Sequence, residues 1–140
     1  MKVNDVKIGV IAGTPIDTQM GVDFVNKKGF EALGVATASS PEEQNLLQYM
    51  DSETLTTKIS AIISDFEKKG IFRTMIYCNS LSAAIDIDFI RSKYRNSNIV
   101  TPLDVYRDIS SVFDKIVLWA ANGQCLAQIE RIFYEKNPSI

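Results

Sequence analysis

The feature that most narrows the fold of this chain is an alternation. Short apolar, β-rich runs are separated by stretches whose apolar residues recur every three or four positions. Val6–Ala12, Ala32–Ala36, Thr74–Cys78, Ile99–Val100 and Ile116–Ala120 are the runs. Each is too short for a buried helix, and the longer ones are nearly continuous apolar runs, as strands covered on both faces are. Strands alternating with helices predict an α/β domain with three αβα layers around a parallel sheet. Five such units predict a five-stranded flavodoxin-like sheet of order 2-1-3-4-5.

The helices between the runs carry their own punctuation. Asp17 or Thr18 is positioned to cap a helix running through Lys28, with Gly29 as its stop. Ser40 before Pro41 predicts another helix start, with Glu42 and Glu43 in the first turn. After Asp51-Ser52, the spacing of Leu55, Ile59, Ile62, Ile63 and Phe66 gives a single apolar face, closed by Lys68-Lys69 and Gly70. Asn79 or Ser80 is placed to cap a helix reaching Tyr94. A helix through Val105, Ile109 and Val112 follows Pro102, and Gln124–Tyr134 is the last. No repeat, linker or low-complexity stretch divides the chain, so residues 1–140 read as a single domain. Tyr77 and Trp119, on interior strands, read as core rather than as stacking platforms.

Composition removes whole classes of chemistry. The 140 residues are 46% hydrophobic and include no histidine, so no Ser-His-Asp triad, Cys-His pair or histidine-ligated metal can be assembled from them. Proton transfer must use Cys, Asp, Glu, Lys or Tyr. A net charge of −2 gives no footprint for nucleic acid or an anionic membrane. No apolar run approaches the roughly 18 residues of a membrane span, and Met1–Val6 leads into no signal-peptide core. Cys78 and Cys125 show neither CxxC nor zinc spacing. Two reduced thiols in a cytoplasmic protein is the expected state.

In an open parallel sheet, ligands bind at the carboxyl ends of the strands where the order reverses. For the order 2-1-3-4-5 this point lies between the first and third strands, at the loops Gly13–Asp17 and Cys78–Ser82. Cys78, Asn79, Ser80 and Thr14 are thereby predicted in one crevice. There a helix N-terminus would favour a thiolate or hold a substrate carboxylate. The alternative reading of the same residues is a buried strand-end cysteine followed by a cap. The phosphate-loop and GxGxxG signatures are absent, which leaves a flavodoxin-like nucleotide or flavin site resting on fold analogy alone. Cys125, beside Leu126 and Ile129, reads as a packing residue more than a reactive one. Asp86 and Asp88 flank Ile87 on a helix and form no carboxylate pair.

At Cys78-Asn79-Ser80, after an apolar strand and opening a helix, the sequence resembles the aspartate/glutamate racemase superfamily. Ile8–Pro15, Asp17–Gly21 and the turn Ser39-Ser40-Pro41 extend the resemblance. Leu118–Gln124 is similar to the strand and turn that begin the second half of these two-domain proteins. Residues 115–140 are thus expected to be the start of that half, and the rest the first half. The resemblance implies cofactor-independent racemisation in which one thiolate removes the α-proton and a second thiol returns a proton on the opposite face. It assigns Cys78 as base, with Thr14, Ser39, Ser40, Asn79 and Ser80 around an amino-acid or other small-carboxylate substrate. It implies no metal and no cofactor. Complete members carry the second cysteine in a later Gly-Cys-Thr loop that this chain lacks. A homodimer is one way to bring two cysteines together, and a catalytically silent carboxylate-binding or interaction module is the alternative. Asp17 is left without a role.

Overall fold

A computed structural model describes residues 5–47 and 49–139. The elements run β1 (Lys7–Ala12), α1 (Pro15–Lys27), β2 (Glu31–Ala36), α2 (Pro41–Leu47), α3 (Ser52–Lys68) and β3 (Arg73–Ile76). They continue with α4 (Asn79–Ala84), α5 (Ile87–Lys93), β4 (Asn98–Val100), α6 (Pro102–Ile109) and α7 (Gly123–Lys136). The four strands form one parallel sheet in the order β2-β1-β3-β4. The α/β class and the crossing from β2 over β1 to β3 therefore hold as expected.

Alternation along the strands assigns the two faces. Gly9 and Ile11 of β1 look toward α3: a Cβ on Gly9 would overlap the Phe66 ring, and Ile11 joins Ile59, Ile63, Phe66, Ile76 and Ile99 in the main core. Val10 looks the other way, onto Gly21 of α1. The apolar stripe of α3 is buried as its spacing predicts, with Leu55, Ile59, Ile63 and Phe66 at most 2% exposed. Both helix stops also hold, since Gly29 and Gly70 have φ of 91° and 75°, a region in which a side chain is strained.

Three expectations need correction. First, α1 starts earlier than Asp17 or Thr18: Thr14 is its N-cap, accepting from the Asp17 backbone N–H, and Pro15 takes the first helical position. Second, the helix expected through Tyr94 is two helices. Asp86 caps a new one by accepting from the Phe89 N–H at 3.0 Å, and its own N–H donates to Thr56 Oγ1 of α3 at 2.9 Å, which diverts the chain after Ala84. Third, no fifth strand forms among the described residues. Residues 116–120 stay unpaired, with Ile116 and Leu118 packed into a second cluster of Leu103, Cys125, Ile129, Ile132 and Phe133. This cluster competes with the free edge of β4 for the apolar side chains, and it leaves Val117 and Trp119 at 83% and 91% exposure. Trp119 is consequently not core. Nor is Tyr77, which lies one residue past the end of β3 and is 44% exposed.

The missing strand leaves a second consequence. Helix α7 packs on α4 and α6, and α1 packs on β1 and β2. An apolar groove remains along β3 and β4, lined by Ile8, Phe24, Phe30, Met75 and Val100.

The second cluster is joined to the sheet by an ion-pair network. Arg91 of α5 donates to the Ile99 carbonyl and to Asp104 Oδ2, both at 2.8 Å, while Asp104 accepts from the Thr101 N–H at 2.7 Å and completes the capping box of α6. Partial burial alone would raise the Asp104 pKa. The Thr101 N–H and the Arg91 guanidinium outweigh it and hold the carboxyl below its ordinary value. A depressed carboxyl stabilises the fold above its unfolded pKa and loses that contribution as pH falls through the folded one. Asp104→Asn should therefore cost about 1–3 kcal/mol in urea unfolding at neutral pH. The gap between variant and wild type should narrow as pH falls below the usual carboxylate range.

Candidate functional site

The site is set by the register of β1 and β3. Ile11 pairs with Ile76, and the Tyr77 N–H donates to the Ile11 carbonyl at 2.7 Å, one step past the ladder. This lays the turn Gly13-Thr14 beside Cys78 at the carboxyl edge of the sheet. On the other side, the Thr37 and Ala38 N–H groups donate to the Ala12 and Gly13 carbonyls at 2.9 and 2.8 Å. The ends of β1, β2 and β3 so converge, and the crevice predicted at the order reversal is present.

Cys78 is half-buried and, in place of the expected Asn79 or Ser80, is the N-cap residue of α4, with no side-chain capping bond. Its carbonyl accepts from Ser82 Oγ at 2.6 Å, which leaves the thiol to the crevice. The thiol separates two spaces. Inward, Gly13, Thr37, Gln44, Leu47, Leu55, Ser80 and Leu81 enclose a remnant of ≈ 20 Å³, room for a single water. Outward, Asp17, Tyr77, Asn79 and Pro102 border an open cleft of ≈ 220 Å³. Gln44 is part of the inner wall, with its amide 3.8 Å from the Cys78 sulfur. A Cβ on Gly13 would collide with the same amide, so the glycine is what admits it.

Of the other predicted residues, Ser80 borders the inner space and Asn79 the outer cleft, whereas Thr14, Ser39 and Ser40 line neither and are engaged in capping. Thr14 is buried, and its hydroxyl donates to Asp17 Oδ2 at 2.8 Å. Ser39 gives both its N–H, at 2.6 Å, and its hydroxyl, at 2.5 Å, to Glu43. Those two bonds hold the Glu43 carboxyl below its ordinary pKa. Ser40 caps α2 as expected, accepting from the Glu43 N–H at 3.2 Å. Asn79 accepts from the Tyr106 hydroxyl at 2.8 Å, and Ser80 lines the inner space. The helix that Cys78 opens has only six residues. Its dipole is correspondingly weaker than that of the longer helix the sequence suggests.

Four participants were not legible beforehand. Gln44 and Thr37 line the inner space, and Lys58 of α3 donates to the Thr37 carbonyl at 2.6 Å, bringing a cation to the crevice wall. Lys58 had no local signal, because it belongs to the polar side of an amphipathic helix. Gln44 stands one turn after Ser40, a spacing that signals only a helix. Tyr106 is brought to Asn79 by α6 packing on α4. No group of His, Cys, Asp and Glu among the described residues is arranged to hold a metal ion, and none of their helices is long and apolar enough to cross a membrane.

Cys125 lies in the first turn of α7, where its N–H donates to the Asn122 side chain at 2.8 Å. It is 2% exposed. Burial pushes its thiol pKa up, and the negative charge available to Cys78 adds to the rise.

Comparison with known proteins finds no counterpart: no family model matches the chain, and no curated protein or solved structure matches it.

The contrast in exposure predicts a divided thiol titration. Ellman's reagent should modify one thiol per folded chain, and the second about tenfold or more slowly until denaturant is added, since buried cysteines are shielded from exchange. Cys78→Ser should remove the fast phase and leave the slow one.

Proposed function

We propose that this chain is a cofactor-independent racemase-type domain of the aspartate/glutamate kind, acting on a small carboxylate such as an amino acid. The observation that carries the reading is the position of the Cys78 thiol. It is half-buried, free of capping duty and opposite the Gly13-Thr14 turn, where an order reversal places a ligand. A thiolate there is suited to take the α-proton of a carboxylate held beside it. Lys58 holds a positive charge on the carbonyl of Thr37, a residue of the inner wall, and Ser80 adds a polar residue to that wall. A cytoplasmic setting, with both thiols reduced, belongs to the same reading.

Inversion also needs a donor on the opposite face of the substrate carbon. In a homodimer a second copy would supply it.

A silent carboxylate-binding module is the second reading, and one observation favours it. Gln44 lines the inner space with its amide 3.8 Å from the Cys78 sulfur, so a substrate that reaches the thiol from that side must displace a carboxamide.

Solvent exchange separates the two. Incubated in deuterium oxide with the reduced protein, aspartate or glutamate should gain deuterium at Cα. Cys78→Ser should slow that exchange by about a hundredfold or more, the usual scale of a lost acid–base group. Calorimetric binding that persists in Cys78→Ser, with no exchange by the wild type, would select the module.

A further inference from the structure

The groove along β3 and β4 shares no lining residue with either space beside Cys78. Its floor follows from strand register. Val10 of β1 pairs with Met75 of β3, and Met75 with Val100 of β4, so these three side chains stand in one row. Helix α1 lies close over the first of them, since a Cβ on Gly21 would fall 2.7 Å from Val10. Phe24 of the same helix and Phe30 after it join Ile8, Met75 and Val100 in lining a space of ≈ 320 Å³. That is the size of a small-ligand pocket, which runs from roughly 300 Å³ upward. Phe24 and Val100 are 56% and 45% exposed, so much of this apolar surface is open to a guest.

Charge says what kind of guest. Lys28 and Arg73 also line the groove, and no carboxylate of the described residues does. Arg73 stands two residues before Met75 on β3 and so belongs to the same face of the sheet. The Lys28 ammonium lies 5.5 Å over the Phe24 ring, which holds it at the groove wall. Among the described residues neither cation is paired with a carboxylate, whereas Lys7 nearby on β1 meets Glu31 at 3.4 Å. Lys28 closes α1, where a cation is favoured in any case. Arg73 has no such duty, which makes it the more telling charge.

We propose that this groove binds a small amphiphilic anion, an alkyl carboxylate whose tail lies on Phe24, Met75 and Val100 and whose head meets Arg73 and Lys28. A guanidinium suits that head, because its planar fork matches a carboxylate. Two copies of the chain set groove to groove would bring four cations together, a like-charge contact that disfavours this pairing. A net charge of −2 likewise gives the chain as a whole no attraction to an anionic membrane.

The test compares two probes of one tail length on the full chain, sodium octanoate and 1-octanol, by backbone amide resonances. The proposal expects saturable shifts at Ile8, Phe24, Met75 and Val100, with octanoate binding more tightly than octanol. Arg73→Gln, at an exposed position, should weaken octanoate about two- to fivefold, the range of an exposed ion pair, and leave octanol unchanged. Lys28→Gln serves as a second charge variant should the first not fold. Phe24→Ala should weaken both probes. Equal affinity for the two probes, or octanoate binding that both charge variants leave intact, would reduce the groove to a non-selective apolar patch and overturn the proposal. So would the absence of shifts at millimolar octanoate. Groove shifts that grow with protein concentration alone, alongside a dimer in sedimentation, would overturn it in favour of a second copy.

Discussion

The pairing of β1 with β3 is the constraint on which the rest of this structure depends. It makes the sheet change direction, because the chain leaves β2 on one side of β1 and returns through α3 to the other. It also carries the ladder to the Ile11 carbonyl and the Tyr77 N–H, so that the next residues, Gly13 and Cys78, are neighbours by register. What secures the pairing is the face beneath it. Gly9 has no side chain, and Phe66 fills the space against the strand, surrounded by Ile59, Ile63, Ile76 and Ile99. A core of branched aliphatic residues around one aromatic ring tolerates added volume poorly. The position of the thiol is thus inherited from packing some distance below it.

The carboxyl edge shows how polar groups can be spent before any ligand arrives. Thr14, Ser39 and Ser40 are the residues a ligand reading of the sequence selects, and the structure uses each in starting a helix. The two roles draw on the same chemistry, since a hydroxyl that accepts from a helix N–H is one that could accept from a substrate ammonium. What remains uncommitted to capping is narrower: the Cys78 sulfur, the Gln44 amide against it, and Ser80 at the wall. Glu43 and Lys58 set the charge nearby, and Glu43 is already bound to Ser39. A ligand that enters the inner space must therefore compete with the Gln44 amide, whereas one in the outer cleft meets Asp17, Tyr77 and Asn79.

Much of this was legible from the sequence where the signal is local. The α3 stripe, the stops at Gly29 and Gly70 and the Ser40-Pro41 start are each written within a few residues, and each holds. The misreadings share a different cause. Thr14 and Asp17 both satisfy the rule for an N-cap, and Pro15 decides between them only once its place in the first turn is known. Asp86 looks like an exposed helical residue until Thr56, thirty positions away, takes its N–H. Ile116–Ala120 has the continuous apolar run of a buried strand, but whether it pairs depends on competition between the β4 edge and the cluster under α7. The candidate site follows the same division. Cys78 was found through topology, whereas Gln44, Lys58 and Tyr106 arrive through tertiary packing that leaves no mark on their own segments.

The central claim is that the β1–β3 order reversal, with Cys78 at its centre, is where this protein meets a small carboxylate. Nuclear magnetic resonance of the backbone amides during titration with aspartate and glutamate tests that most directly. The account predicts saturable shifts concentrated at Gly13, Thr14, Thr37, Gln44 and the Cys78–Ser80 turn. Those shifts should be weaker when the charge of Lys58 is removed by Lys58→Met. An unchanged spectrum at millimolar ligand, or shifts confined to the groove of Phe24, Met75 and Val100, would contradict it.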